Sequence, residues 1–399
     1  MAGVTADPLV PVRVASVGNR PRAKWAEGLR VHLPGSLLDR TGWRRAIRSN
    51  GDLEIPEDAA SITGDDVVAL RERCAFTERR PMSARLPVNY RLVPGWARAI
   101  AASAIGRWNR HRADRWAAFP GWPIDLSTDV LDDLRQAPMP AAPPLGRAPV
   151  VLTHDIDSPE GLQNLLARFL PLEEAVGARS TNYIVPCAWR LDDGLIAEMV
   201  ARGHGVGVHG YDHSNTTAFA TPAVRAERLD GTRRFAERYA AAGYRAPSLL
   251  RTRALLRDLG GRYGYDSSIP TAGGLFPIPN NGCATARPFL VEGIAELPVT
   301  MPRDGTLRFL GYSPDEIVRL WIDCADMVWR SRGVVVLLTH CERRFSGGPA
   351  MLGVYRQFLE HLRNQSDRFT FSNPRQVLEN ALSLPERCES GERTRAAVP

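Results

Sequence analysis

The chain has 399 residues, of which 44% are hydrophobic and 24% charged, and its formal net charge is +7 at pH 7. This composition is ordinary for a globular protein and allows one large core or two smaller ones. No apolar stretch reaches the ~18 residues that a membrane-spanning helix needs, and residues 1–17 lack the layout of a secretory signal. We therefore expect a soluble, cytoplasmic protein.

Cysteine and charge usage restrict the classes of partner. The six cysteines are scattered, without a Cys-x-x-Cys pair or the density of a disulfide framework. Residues 1–148 contain 22 Lys and Arg against 16 Asp and Glu, which would suit an anionic substrate. The bias of the whole chain, 50 Arg to one Lys, explains this excess more simply. No nucleic-acid-binding motif is present, so neither nucleic acid nor a membrane is an expected partner.

A proline-rich stretch separates two portions of different composition. Residues 136–149 contain five prolines, as is typical of a linker. Six of the nine tryptophans precede it, together with two candidate strands (9–17 and 29–33) and an amphipathic helix (94–117). The sequence predicts a basic, Trp-rich α+β extension at 1–135, a linker at 136–148, an α/β domain at 149–383 and a disordered tail at 384–399.

Short β-branched runs and amphipathic segments alternate after the linker. The predicted strands are 149–153, 180–185, 205–209, 294–299, 333–339 and 369–371. The predicted helices are 159–176, 191–202, 221–242, 314–330 and 347–364, with a long loop at 270–287. This alternation favours a closed α/β barrel of six to eight parallel strands surrounded by helices. No G-x-G-x-x-G or P-loop follows a strand, so a nucleotide cofactor is not expected.

Three of these strands end in short polar clusters. Residues 153–157 read T-H-D-I-D, 209–213 read H-G-Y-D-H, and 338–340 read L-T-H. In α/β barrels, the catalytic side chains lie at the carboxyl ends of the strands. Two carboxylates, an H-x-x-x-H pair and a late histidine therefore form a candidate hydrolytic metal site.

The first two clusters contain the parts of such a site. His209 and His213 are four residues apart, so both imidazoles can reach one ion while positions stay open for water and substrate. Asp155 and Asp157 point the same way on a regular strand. One can bind the metal while the other, near Arg245, accepts a proton from the metal-bound water. The alternatives are histidines bonded to backbone carbonyls and acidic residues that cap the following helix.

His340 ends the third cluster. A hydrolysis that expels an amine needs a proton donor, and histidine titrates in the useful range. The alternative is a partly buried imidazole bonded to a neighbouring carbonyl. The chain has no G-x-S-x-G elbow, which argues against a covalent serine intermediate.

Together these motifs resemble those of the polysaccharide deacetylase family, carbohydrate esterase family four, over roughly residues 149–380. The segment T-H-D-I-D approximates the family's T-F-D-D-G, H-G-Y-D-H corresponds to H-[ST]-x-x-H, and L-T-H to L-x-H. Residues 245–248 read R-A-P-S, similar to R-x-P-Y. The segments G-Y-D-S-S at 264–268 and E-L-P-V at 296–299 also resemble family sequence.

The resemblance implies a distorted (β/α) barrel that binds one divalent metal ion. Asp157, His209 and His213 would be its ligands. Zinc is the expected metal, with Co, Ni, Mn and Fe as alternatives. The D-x-D arrangement replaces adjacent aspartates, as in divergent members of the family.

The resemblance also implies catalytic roles. Asp155 would be the general base, held and tuned by Arg245, and His340 the general acid. The metal and a backbone N–H near Ser248, which replaces the family's tyrosine, would stabilise the oxyanion. The motif that orients the general acid has no clear counterpart, and Glu296 is a candidate for that part.

Tyr211, within the second motif, and His154, where the family has Phe, are further candidates for substrate contacts; His154 could instead pack in the interior. The expected function is that of a metal-dependent hydrolase, which removes an acetyl group from an N-acetylated sugar or amino-sugar metabolite. Its substrate would be a small molecule or an oligosaccharide. The alternatives are a related amidohydrolase on a non-sugar C–N bond, as in allantoinase-like enzymes, and a non-catalytic carbohydrate-binding relative. The joint presence of Asp155 and His340 argues against the last of these.

Overall fold

The computed structural model describes residues 7–57, 62–76, 95–116, 124–136, 145–271 and 282–382. Most of the predicted linker, part of the loop predicted at 270–287 and the tail predicted at 384–399 lie outside the described residues. Within the described part of the chain, no helix combines the length and the apolarity needed to cross a membrane.

The N-terminal portion is built on a small sheet of three strands, β1 (Leu9–Ser16), β2 (Arg30–Pro34) and β3 (Asp52–Glu54). β1 lies in the middle, antiparallel to β2 and parallel to β3. Its residues Val12 and Val14 are buried while Arg13 between them is exposed, which is the alternation of a half-buried strand. The two predicted strands are confirmed, whereas β3, with three residues, is too short for a recognisable pattern.

The helices of this portion are α1 (Gly35–Arg40), α2 (Gly64–Ala75), α3 (Gly95–Trp116) and α4 (Ser127–Arg135). α3 confirms the helix predicted at 94–117. α4 attaches the N-terminal portion to the rest of the molecule, because its buried Asp129 accepts hydrogen bonds from the Ala286 N–H and the Thr285 hydroxyl. One continuous hydrophobic core therefore contains residues of both portions.

Within the described residues, the larger sheet has nine strands: β4 (Ala148–Ile156), β5 (Thr181–Ile184), β6 (Gly205–Val208), β7 (Gly243–Tyr244), β8 (Tyr265–Asp266), β9 (Phe289–Val291), β10 (Ile294–Glu296), β11 (Val335–His340) and β12 (Phe369–Phe371). Their order is β11-β4-β5-β6-β7-β8-β10-β9, and β12 pairs with the start of β4. All pairs are parallel except the hairpin of β9 and β10. Beyond β10, the Met301 N–H donates to the Val336 carbonyl of β11 at 3.1 Å, so the segment that follows β10 returns to the strand at the other side of the curled sheet. The predicted distorted (β/α) barrel is confirmed.

The helices that connect these strands are α5 (Pro159–Asn164), α6 (Leu170–Ala175), α7 (Asp193–Ala201), α8 (Pro222–Asp230), α9 (Arg233–Arg238), α10 (Arg253–Leu259), α11 (Asp304–Phe309), α12 (Pro314–Arg330), α13 (Pro349–Asn364) and α14 (Pro374–Leu382). A π-helical turn at Leu165–Phe169 joins α5 to α6. The single helix predicted at 221–242 is wrong, because it breaks at Gly231 between α8 and α9. A Cβ at Gly231 would lie 2.8 Å from the ring of Tyr211, so a larger residue would not fit against this loop.

Candidate metal centre and catalytic residues

Strand β4 brings two carboxylates to the carboxyl edge of the barrel. Asp155 is its penultimate residue and lies opposite His340 of β11 and Tyr183 of β5 in the strand register. Asp157 follows the strand, and its backbone N–H donates to Glu342 Oε1 at 3.2 Å. The predicted clusters meet at this edge because parallel strands end there together.

His209 and His213 reach the same edge from β6. His209 directly follows the strand and is 1% exposed. Its Nδ1 bonds to the carbonyl of Arg245 at 3.0 Å, which leaves Nε2 facing the two carboxylates. The chain then turns at Gly210, where φ is +67° and a Cβ would lie 2.5 Å from a proline ring. This turn returns His213 to His209, with the ring centroids 5.1 Å apart.

One ligand atom from each of the three predicted metal ligands lies within 4.8 Å of the others. Asp157 Oδ1 is 3.3 Å from His213 Nε2 and 3.5 Å from His209 Nε2. Two ligand atoms that are each 2.0–2.1 Å from a tetrahedral ion are roughly 3.3 Å apart, so these separations fit one shared ion. Asp157 Oδ1 is also buried and has no hydrogen-bond partner. Such an oxygen is costly unless a cation or a donor compensates it, and the donor set of one carboxylate and two imidazoles fits a divalent metal.

Asp155 lies beside these ligands and is held by Arg245. Nη1 of Arg245 donates to Asp155 Oδ1 at 2.9 Å, while its Nε and Nη2 bond to the buried Ser267. Burial alone would raise the pKa of Asp155, but its interactions with His209, Arg245 and His340 lower it to about 2. Asp155 is therefore ionised at neutral pH, which is the state that a proton acceptor needs.

His340 is oriented by a carboxylate that the motifs do not reveal. Its Nδ1 bonds to Asp304 Oδ1 at 2.9 Å, and its backbone N–H donates to Asp304 Oδ2 at 2.9 Å. Burial lowers the pKa of His340, but the carboxylates of Asp304, Asp157 and Asp155 outweigh burial and raise it to about 9. The imidazole is therefore protonated at neutral pH and can donate a proton.

The candidates Ser248 and Tyr211 lie on loops that follow β7 and β6. Ser248 is exposed and has φ +54°, and Leu249 follows it at φ +55°. Left-handed conformations of this kind cost energy and are concentrated at functional sites. The Tyr211 ring is partly exposed and packs against Arg228, whose guanidinium carbon is 5.2 Å from the ring centroid. Substrate contacts by Ser248 and Tyr211 remain predictions.

His154 and Glu296 are placed away from the site. Both ring nitrogens of the fully buried His154 bond to protein groups, at 2.8 Å and 2.7 Å. His154 points to the face of β4 opposite Asp155, because successive strand residues alternate. Its burial and its two hydrogen bonds fit the packing alternative rather than a substrate contact. Glu296 is wrong as the partner of His340, since it is buried elsewhere and accepts a backbone hydrogen bond at 2.9 Å.

Glu342 is a further buried carboxylate at the site that the sequence does not reveal. Its Oε1 accepts hydrogen bonds from the Asp157 N–H and, at 2.8 Å, from the Ser158 hydroxyl, whereas its Oε2 is buried without a partner. A Cβ at Gly161 would lie 2.5 Å from Oε1, so this glycine makes room for the carboxylate. Burial and the nearby Asp157 carboxylate raise the pKa of Glu342 to about 7.

Residues 143–266 match the family model described as polysaccharide deacetylase, and this part of the chain belongs to that family. The matched segment contains both carboxylates of β4, the histidine pair and Arg245. A search of the curated proteins finds no match.

Several solved structures are similar in fold. A putative polysaccharide deacetylase from Mycobacterium smegmatis is 18% identical, with 64% of this chain and 97% of that chain covered and a TM-score of 0.49. A probable polysaccharide deacetylase from Pseudomonas aeruginosa PAO1 is 15% identical, with 58% and 92% covered and a TM-score of 0.45. The Puue allantoinase is 16% identical, with 63% and 96% covered and a TM-score of 0.47.

Proposed function

We propose that the chain is a metal-dependent hydrolase that removes the acetyl group from an N-acetylated sugar or amino-sugar metabolite. The observation that carries this proposal is the buried, unpartnered Asp157 Oδ1, which faces Nε2 of His213 at 3.3 Å and of His209 at 3.5 Å. An ionised carboxylate and a protonated imidazole lie beside this oxygen. The family of the segment 143–266 is a second support.

Asp157, His209 and His213 would hold the divalent ion, most simply zinc. When bound, such an ion lowers the pKa of a water molecule and polarises an acyl oxygen. Asp155 accepts the proton of the attacking water, and Arg245 keeps its carboxylate ionised and fixed in direction.

His340 supplies the second proton transfer. Its imidazolium, fixed by Asp304, donates a proton to the amine nitrogen as the C–N bond breaks. An amine that leaves without this proton is a poor leaving group, so the reaction needs both the base and the acid. The backbone N–H near Ser248 is the proposed protein contact of the oxyanion.

The test is acetate release from N-acetylglucosamine and its oligomers by zinc-loaded protein, compared with Asp155→Asn. We expect this substitution to lower kcat by about 10²–10⁴-fold, as for loss of a general base, while bound zinc is retained. Asp323→Asn, at an exposed position of α12, is the matched control.

Undiminished acetate release by Asp155→Asn would contradict the mechanism. A protein without affinity for divalent metals would support a non-catalytic binding relative. Turnover of non-sugar amides, with no release from any N-acetylated sugar, would support the amidohydrolase alternative.

A further inference from the structure

Arg303 lies at the edge of the candidate site and has no partner in the part of the chain that the structure describes. It stands between β10 and α11, next to Asp304, which orients His340. Asp304 bonds to His340 at the carboxyl end of β11, so Arg303 directly precedes a residue of the edge where the catalytic groups meet. Its side chain is partly buried, and no described residue forms a hydrogen bond or an ion pair with the guanidinium.

Three buried arginines elsewhere in the described residues are arranged differently. Arg245 donates to Asp155 at 2.9 Å, Arg225 donates to a carboxylate at 2.6 Å, and Arg251 donates to a backbone carbonyl at 3.0 Å. A guanidinium that is withdrawn from water is costly unless it is paired and hydrogen-bonded. Arg303 is only partly buried and none of its nitrogens is a buried atom without a partner, so its guanidinium is accessible and free to pair with a group from outside the chain.

The electrostatic surroundings agree with a position in the catalytic pocket. Burial lowers the pKa of Arg303, while the carboxylates of Asp155 and Asp304 act in the opposite direction. Each of these carboxylates already has a cationic partner: Asp155 is paired with Arg245, and Asp304 is paired with His340. The positive charge of Arg303 therefore has no carboxylate partner of its own among the described residues. It lies close to the base Asp155 and the acid His340, and a scissile amide must lie between these two residues.

We propose that Arg303 binds an anionic substituent of the substrate, a carboxylate or a phosphate group on the N-acetylated sugar. This inference rests on the proposed function, because it names the class of sugar that the site accepts. A planar guanidinium pairs with either group through two parallel hydrogen bonds. A neutral sugar would cover the same guanidinium and leave it unpaired, so it is disfavoured.

The test compares acetate release from N-acetylglucosamine, N-acetylglucosamine 6-phosphate and N-acetylglucosaminuronic acid. We expect at least one anionic sugar to exceed the neutral one in kcat/KM by about 10- to 100-fold, the range for a hydrogen bond to a charged group. Arg303→Gln should remove this preference mainly by raising KM, and Arg303→Lys should keep part of it because the charge remains. Arg319→Gln removes an exposed arginine from α12 and should leave the preference unchanged.

Two results would overturn the inference. One is a wild-type protein without preference for either anionic sugar. The other is an Arg303→Gln variant, shown to be folded by its thermal unfolding, that loses the same factor with neutral and anionic sugars. An arginine that supports the chemistry itself, rather than recognition, would behave in this second way.

Calorimetry on the metal-free protein separates this inference from the proposed function. The probes are glucosamine 6-phosphate and glucosaminuronic acid, each compared with glucosamine. Binding of an anionic probe that depends on Arg303, without acetate release from any sugar, would retain the anion site and reject the deacetylase. Acetate release with equal affinity for anionic and neutral probes would retain the deacetylase and reject the anion site.

Discussion

The two faces of strand β4 carry similar side chains in different surroundings. On the face that opens at the barrel edge, Asp155 is followed by Asp157, whose Oδ1 is buried without a hydrogen-bond partner. On the opposite face, His154 bonds to Glu173 at 2.7 Å, and the hydroxyl of Tyr355 donates to the same carboxylate at 2.8 Å. Both faces contain acids and imidazoles, but the imidazole of His154 is bonded at both of its ring nitrogens, whereas His209 and His213 each direct Nε2 toward Asp157.

The difference lies in how each imidazole uses its two nitrogens. His154 bonds through both of them, so it has no lone pair left for a metal. His209 uses Nδ1 for the carbonyl of Arg245 and keeps Nε2 for the site. A second partner of this kind fixes the direction of the ligating nitrogen. The free lone pair, rather than the residue type, distinguishes a candidate metal site from a buried polar network.

Removal of Asp157 should have the largest effect, because both histidines face this carboxylate. We expect Asp157→Ala to reduce the zinc content of the dialysed protein to background and acetate release by at least about 10³-fold, since metal activation is worth several kcal/mol of the barrier. Elemental analysis measures the first effect and steady-state kinetics the second. Asp323→Ala, at an exposed position of α12, should retain both. Stoichiometric zinc in Asp157→Ala would mean that the metal lies elsewhere.

Loss of the Asp304 charge should have an intermediate effect. The pKa of His340 is about 9 in the folded protein, above its ordinary value of about 6.5. Protonated His340 therefore stabilises the folded protein fully below about pH 6.5, and this contribution to the free energy of unfolding is lost as the pH rises through about 9. The protonated imidazole that acts as proton donor is lost over the same range. We expect Asp304→Asn to move the alkaline fall of kcat toward about pH 6.5 and to lower kcat at neutral pH by about 10²-fold.

The measurement is kcat against pH for zinc-loaded wild type and Asp304→Asn. In the wild type, the alkaline fall should lie at or below about pH 9, because a cation bound by Asp157 offsets part of the carboxylate charge that raises the pKa of His340. If both proteins show the same alkaline fall, His340 is not the group that sets it.

The groups at strand ends could be predicted from the sequence, and Asp304 could not. Parallel strands end at one edge of a barrel, so the clusters after β4, β6 and β11 had to meet there. Asp304 is the first residue of α11, a six-residue helix that no sequence pattern predicted, and its partner His340 is 36 residues away in the chain. Alternation along β4 already requires His154 to face away from Asp155, and that signal was present in the sequence.

The barrel itself was predictable in outline only. Strands β7 and β8 have two residues each, too few for a recognisable pattern. Their places in the sheet follow from the longer strands on either side and from the connecting helices. The attachment of α4 depends on the buried Asp129, whose partners lie more than 150 residues away in the chain.

Neutralisation of Glu342 should have a smaller effect, confined to the metal. Glu342→Gln keeps the side-chain volume and an oxygen for the Asp157 N–H but removes a negative charge close to Asp157. We expect the dissociation constant for zinc, measured by competition with a chelator, to rise by about tenfold, as is usual for partners of metal ligands. Glu360→Gln, at an exposed position of α13, is the control. Unchanged zinc affinity would mean that Glu342 does not influence the metal and serves only to accept the hydrogen bond from Ser158 at the start of α5.

Changes on the opposite face of β4 should alter stability and leave activity unchanged. His154→Gln removes the imidazole that bonds to the fully buried Glu173, and we expect the free energy of unfolding in urea to fall by about 3–5 kcal/mol. The double variant His154→Leu, Glu173→Met should lose less than the sum of its single changes, because it leaves no uncompensated buried charge. Zinc affinity and kcat of the folded variants should stay within about twofold of the wild type, as for changes with no shared partners. A folded His154→Gln that lost zinc or turnover would show that the two faces of β4 are coupled and would return His154 to the site.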